Sequence, residues 1–317
     1  MSRTFGGYIG LEQWPPGPPR AAAPQLTHSA GRAILAAILR HERPTRLLVP
    51  CYICDSVLRA AEATGTAVSF YPVNTQLIPV PPALEPGDML LLVDYFGIRS
   101  GPVRELAATV GRRAILDASM AFFSAPPPGA WWFTSARKFF GLPDGATWAG
   151  PDLLPRPEAH NPAVRADHLL LAQVGDPEAG LAAYRANNAA LRTDALAAAP
   201  LSRHLFARLD LEAARTARTR NFLHLHERLG HHNQLQVDSA RINGPLHYPL
   251  HLSRAVDLRP WHAAGIFAPR LWPDVLARAG SDPESRMLAE AIVPLPIDQR
   301  YTTDDMNELA WRVEQLL

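Results

Sequence analysis

The chain is 317 residues long, 47% apolar and 19% charged, with 31 basic against 30 acidic side chains and a formal net charge of +1. That length suits one large domain with a smaller appendage, and the composition suits a packed core rather than a disordered polymer. The balanced charge supplies no field to draw in nucleic acid or an anionic membrane, and no run approaches the roughly 20 apolar residues of a bilayer span.

The stretch from Met1 to Pro19 is Gly- and Pro-rich rather than basic then apolar, so no secretory signal is expected. Trp14-Pro15-Pro16-Gly17-Pro18-Pro19 predicts an extended arm, because proline fixes φ and removes donors. Thr27, His28 and Ser29 precede an Ala- and Ile-rich run, Gly31 to Arg40, which predicts a buried helix with a Ser or Thr cap. Cys51 and Cys54 form a lone C-x-x-C that can frame neither a disulfide network nor a complete zinc site. A reduced, cytoplasmic protein is the expectation.

An alternating pattern comes next. Arg46 to Val49 reads as a strand, Asp55 to Thr64 as a helix closed by Gly65, and Thr66 to Tyr71 as a strand. Met89 to Val93 is a continuous apolar strand, followed by a helix near Val103 to Val110; Arg113 to Leu116 and Trp131 to Thr134 are further strands. Strands that are apolar throughout, alternating with helices, predict a mainly parallel sheet sandwiched by helices. Residues 151–162 carry Pro151, Pro155, Pro157 and Pro162 and predict a linker or surface crossover. Helical stretches near Ala163 to Ala199 and Leu209 to Leu229 come after it, then a mixed region with a strand over Leu246 to Leu252. The last helix is marked by Thr302 with Asp305 three residues on, and by Met306, Leu309, Ala310, Val313 and Leu317 on one face. The expected division is an N-terminal arm over 1–26, a large α/β domain over 27–200 and a small C-terminal α+β domain over 201–317.

In open parallel sheets, ligands bind beyond the carboxyl ends of the strands. Residues expected there are Tyr52, Asp94 to Gly97, Asp117, and Ser135 to Lys138, with the helix start at Ser29 to Arg32 facing the same edge. Singly, each has a structural explanation: a strand-ending Asp caps turns, a lone Lys is solvated, and Gly31 permits close packing. Jointly they supply what pyridoxal phosphate requires. A lysine amine forms the Schiff base, a carboxylate keeps the pyridine nitrogen protonated, backbone N–H groups at a helix start hold the phosphate, and an aromatic face stacks on the ring.

The order of these segments resembles a known family. Ser29-Ala30-Gly31-Arg32-Ala33, Val49-Pro50-Cys51-Tyr52, Leu116-Asp117-Ala118, and Ser135 to Gly145 occur as they do in fold-type-I pyridoxal phosphate enzymes. They are most similar to the DegT/DnrJ/EryC1/StrS aminotransferases, and Pro296 to Tyr301 also looks like a segment of divergent members. The resemblance implies that Lys138 forms the Schiff base and shuttles protons, and that Asp117 pairs with the pyridine nitrogen. It further implies that Ser135 with the backbone of Gly31 and Arg32 holds the phosphate, and that Tyr52 stacks on the ring. A homodimer with the site at its interface, a glutamate amino donor and a nucleotide-linked keto sugar as acceptor are implied likewise, with Tyr8 to Trp14, Arg300 and Tyr301 as pocket walls.

The sequence also departs from that pattern. Met120 stands where the family carries His or Gln, and no Asn-x-Arg segment comes after the lysine; Asn187 and Asn188 are possible substitutes. These departures keep open a pyridoxal phosphate enzyme of another reaction type, such as a dehydratase or racemase, and a non-catalytic binding protein. His224, His226, Glu227, His231 and His232 crowd one region, but the H-E-x-x-H spacing fails and no metal site is expected. Neither G-x-G-x-x-G after the first strand nor a P-loop is present. Arg218 and Arg220 read as solvated or at a subunit contact, with binding of a substrate phosphate as the lesser alternative.

Overall fold

A computed structural model describes residues 3–12, 25–175, 177–278, 280 and 282–317. The arm expected over Trp14 to Pro19 lies outside these residues. After a two-residue strand β1 (Phe5–Gly6), the chain forms α1 (Gly31–Glu42), β2 (Arg46–Pro50), α2 (Asp55–Glu62), β3 (Ala67–Tyr71) and β4 (Asp88–Val93). Then come α3 (Ser100–Val110), β5 (Ala114–Asp117), β6 (Trp131–Thr134) and β7 (Thr147–Ala149). β2 to β7 make one six-stranded sheet in the order β3-β2-β4-β5-β6-β7, parallel throughout except that β7 runs antiparallel to β6.

The sheet is central because its strands are apolar along their length. All six residues of β4 are buried, and Leu90, Leu91 and Leu92 are no more than 1% exposed. Each such leucine contributes about 1.5–3 kcal/mol by leaving water. Helix α1 packs on β6 and β7, and α3 on β4 and β5. The expected helix start at Gly31 is correct, but its cap is not a Ser or Thr side chain: Ala30 occupies that position without a side-chain hydrogen bond.

The expected helical stretch over 163–199 is divided. It forms α4 (Asp167–Gln173) and α5 (Pro177–Ala190), after which residues 191–199 run without helix to α6 (Pro200–Phe206). Tertiary hydrogen bonds claim that segment: Leu196 O accepts from Ser29 N at 2.9 Å, and Ala197 N donates to Ala159 O at 2.8 Å. The proline-rich stretch over 151–162 forms no helix or strand, as expected.

The rest of the chain comprises α7 (Leu211–Leu229), β8 (His247–His251), α8 (Arg259–Ala263), β9 (Ile266–Phe267), α9 (Asp274–Ala277), α10 (Pro283–Ala291), β10 (Ile292–Pro296) and α11 (Thr303–Glu314). β8 and β10 pair antiparallel, α7 packs on β8 and α11, and β1 pairs parallel with β9. In α11 the capping box forms in both directions between Thr302 and Asp305. Met306, Leu309, Ala310 and Val313 are fully buried, whereas Leu317 lies past the helix end and is 36% exposed.

Candidate active site

Parallel register brings the functional groups to one edge. Asp117 ends β5 opposite Val93 of β4 and Phe133 of β6, so the segments leaving β4, β5 and β6 emerge side by side. Ala118 N donates to Phe133 O at 2.8 Å and Thr134 Oγ1 to Ala118 O at 2.7 Å, locking the two strand ends. The half-buried Asp117 carboxylate accepts from Ser119 N at 2.8 Å through Oδ1. Its Oδ2 has no partner among the described residues.

From the buried Ser135 the chain enters a single turn, Ala136–Lys138, closed by Lys138 N donating to Ser135 O at 3.2 Å. The Lys138 amine is half-buried and has no hydrogen-bond or ion-pair partner among the described residues. It is the one lysine in a chain with thirty arginines. Arginine cannot give up its proton near neutral pH, so cationic surface roles here fall to arginine while the only titratable ε-amine sits beside Asp117's strand.

The start of α1 is pressed into the same corner. A Cβ on Gly31 would lie 3.1 Å from the Phe133 ring and 3.5 Å from Ser119 Oγ, so the helix start packs tightly against the ends of β5 and β6 at a residue without a side chain. The loop carrying Lys138 returns to the residues before the helix, where Gly145 N donates to Ser29 O at 2.8 Å. The N–H groups of Gly31 and Arg32 have no acceptor among the described residues, and the buried Ser29 hydroxyl has no partner there either. Free donors at a helix start, with a buried unpartnered hydroxyl, are the features that hold a phosphate.

Arg32 donates to Leu191 O at 3.3 Å; burial, then the neighbouring Arg137 and Arg59, push its guanidinium down to about 10. It lines a cavity of about 740 Å³ with Arg59, Tyr184, Arg185, Asn188 and Arg192. Asn188 Oδ1 accepts from Arg137 Nη2 at 2.8 Å, and Asn187 Nδ2 donates to Pro143 O at 2.6 Å. Both asparagines therefore brace their own chain's lysine loop.

Tyr52, expected to stack on the cofactor ring, lies among protein side chains. It is fully buried, stacked on Tyr95 at 5.5 Å and met edge-on by Trp272 at 4.4 Å, and Tyr95 Oη donates to its carbonyl at 2.6 Å. Those contacts fill the ring's surroundings with protein. Met120 is buried too. Asp94, fully buried beside Asp117, accepts from Ser100 Oγ; burial above all pushes its carboxyl up to about 7.

Arg218, expected to be solvated or at a subunit contact, is fully buried within its own chain and donates to the carbonyls of Phe139, Pro245 and Leu246. Arg220 is exposed and bonds Tyr301 O at 2.9 Å. His224 pairs with Asn307 and His226 with Tyr248 Oη, distances 2.8 and 3.2 Å. Arg300 forms an ion pair with Asp298 and bonds Tyr8 O at 3.2 Å, tying the N-terminal segment to the end of β10.

No protein-family model and no curated protein matches the chain. Solved structures match it in fold. DesV of S. venezuelae, solved with a ketimine intermediate, aligns over 91% of this chain and 83% of its own at 16% identity and TM-score 0.64. The sugar aminotransferase CalS13 of Micromonospora echinospora aligns over 92% and 87% at 16% identity and TM-score 0.61. A DegT DnrJ EryC1 StrS aminotransferase of Brucella abortus aligns over 92% and 85% at 17% identity and TM-score 0.61.

The chain thus shares its fold with these aminotransferase structures, a mixed α/β architecture with a mostly parallel central sheet. More narrowly, that fold is similar to the folds of the sugar aminotransferase CalS13 and of the Brucella abortus DegT DnrJ EryC1 StrS aminotransferase.

Proposed function

We propose that the protein is a pyridoxal phosphate-dependent aminotransferase that moves an amino group from an amino-acid donor, glutamate, to a keto acceptor of the nucleotide-linked sugar class. The single observation carrying this reading is Lys138: the chain's one lysine, without a partner among the described residues, in the turn that leaves the strand paired with Asp117's. The residues present fit the cofactor. The free N–H groups of Gly31 and Arg32, with Ser29 and Ser135, suit its phosphate; the unpartnered oxygen of Asp117 suits its ring nitrogen; the Lys138 amine suits its aldehyde.

When bound, pyridoxal phosphate supplies a carbonyl that takes up amines and a ring that withdraws electrons from the substrate carbon. The protein's part is positional and acid–base. Asp117 holds a proton on the ring nitrogen through Oδ2, and Ser119 N fixes the carboxylate's other oxygen. Lys138 Nζ would take the proton from the donor's α-carbon and deliver it to the cofactor's carbonyl-derived carbon, the shift that transamination requires. The first turn of α1 anchors the anionic end, so the reacting atoms are held in register with Nζ. We place this chemistry in a cytoplasmic homodimer with the site at its interface, and divide the chain into an arm over 1–26, a large domain over 27–200 and a small one over 201–317.

The test is a half-reaction. Cofactor-loaded protein mixed with glutamate should lose its visible band as the pyridoxamine form accumulates. A second reading, another lysine-assisted reaction, is favoured by Met120 where related sequences carry His or Gln. A bound cofactor that responds to no amino donor by this conversion would select it.

A further inference from the structure

We propose that Arg218, Gln299 and Glu12 form a clamp that fixes the backbone immediately after Lys138 and so positions its amine. This inference rests on the proposed role of Lys138. Three segments far apart in sequence converge on the loop. Phe139 O accepts from Arg218 Nη2 and from Gln299 Nε2, both at 2.9 Å. Arg218 Nε donates to Gln299 Oε1 at 2.9 Å, and Gln299 Nε2 also donates to Glu12 Oε2 at 3.0 Å. Glu12 reaches the loop itself, its Oε1 accepting from Gly141 N at 3.0 Å.

The arrangement is closed and tight. Arg218 Cζ lies 4.7 Å from the centroid of the Phe139 ring, so the guanidinium both hydrogen-bonds and stacks on the residue after the lysine. The N-terminal segment rests directly on the loop: a Cβ on Gly141 would fall 1.9 Å from Gly10 O. Burying a guanidinium costs several kcal/mol, and an apolar side chain of similar volume would fill the space as stably or more so. A fully buried arginine whose donors aim at main-chain carbonyls is therefore explained by what it holds in place. What it holds, together with Gln299 and Glu12, is the backbone of residues 139–141, which begins one peptide beyond the Lys138 Cα and sets the course of the lysine loop. These are positioning residues, since none of them is placed against the reacting atoms.

Two measurements on the full chain decide the matter. The first is amide hydrogen exchange over residues 139–141 without added cofactor. The second is the rate at which pyridoxal phosphate with cyanoborohydride becomes fixed to Lys138, monitored as one added group by intact mass. Glu12→Ala and Gln299→Ala should each raise exchange over 139–141 and slow fixation by about tenfold, the order of loss expected for a misplaced reacting group. Exchange in β4 and α11 should stay unchanged. Glu12→Gln keeps an acceptor for Gly141 N but cannot also accept from Gln299 Nε2, so it should recover both readings only in part, to a level between Glu12→Ala and wild type. Unchanged loop exchange, exchange raised equally throughout the chain, or faster loop exchange with wild-type fixation would each overturn the clamp. Wild-type protein that fixes no cofactor would instead overturn the function on which the inference rests, and the inference with it.

Discussion

Gly31 of α1 lies so close to Phe133 of β6 that a methyl group at its Cα would stand 3.1 Å from two ring carbons. This contact draws the helix start, with N–H groups that have no acceptor among the described residues, into the corner where β5 ends in Asp117 and β6 leads into the turn that carries Lys138. Gly31→Ala should therefore cost about 1–3 kcal/mol of stability by overpacking. It should also weaken cofactor binding by about tenfold, equivalent to roughly 1.4 kcal/mol. Thermal unfolding and a spectrophotometric cofactor titration check the two effects; wild-type affinity would show that the helix start does not hold the phosphate.

Asp117→Asn keeps an oxygen for Ser119 N and removes the charge. The protein should fold normally and still bind cofactor, yet carry out the glutamate half-reaction roughly a hundredfold more slowly or worse, within the range for a lost proton-holding group. Stopped-flow absorbance measures it. A change of less than threefold would remove Asp117 from the chemistry.

Asp94 makes a statement about pH. Burial raises its folded pKa to about 7 from 3.8, so the stability associated with its protonated form is complete below about pH 4. As pH rises from there the unfolded chain ionises while the folded one does not, and stability falls until about pH 7. The loss has an upper bound of about 4 kcal/mol. Asp94→Asn stays neutral, so its stability relative to wild type should grow between pH 4.5 and pH 8, conditions spanning that window. Urea unfolding at the two pH values tests this, and a constant difference would contradict it.

Much of this was legible in the sequence, for identifiable reasons. Parallel strands buried on both faces announce themselves as unbroken apolar runs, so β4, β5 and β6 and the residues at their ends could be read directly. Thr302 and Asp305 gave the start of α11 by local chemistry alone. The features that escaped depend on distant partners. β7 is three residues long and exists because it pairs with β6. Tyr52 looks like a pocket residue until Tyr95 and Trp272 close around it, more than forty and two hundred positions away. Arg218 sits on a polar helix, and nothing local reveals that its acceptors are carbonyls of residues 139, 245 and 246.

Thr302→Ala separates fold from site. Loss of the cap should cost about 1 kcal/mol, with no change in cofactor binding or in the half-reaction. Differential scanning calorimetry beside an activity assay makes the comparison. An activity loss larger than the loss of folded protein would tie α11 to the chemistry.

The most direct measurement is borohydride reduction of protein incubated with pyridoxal phosphate, then intact mass and peptide mapping. With one lysine in the chain, the account predicts a yellow protein that gains a single pyridoxyl phosphate group on the peptide containing Lys138. Lys138→Arg, which keeps the charge but not a titratable amine, should gain none. A wild-type protein that stays colourless and unlabelled, or a Lys138→Arg variant labelled to the same extent, would contradict it.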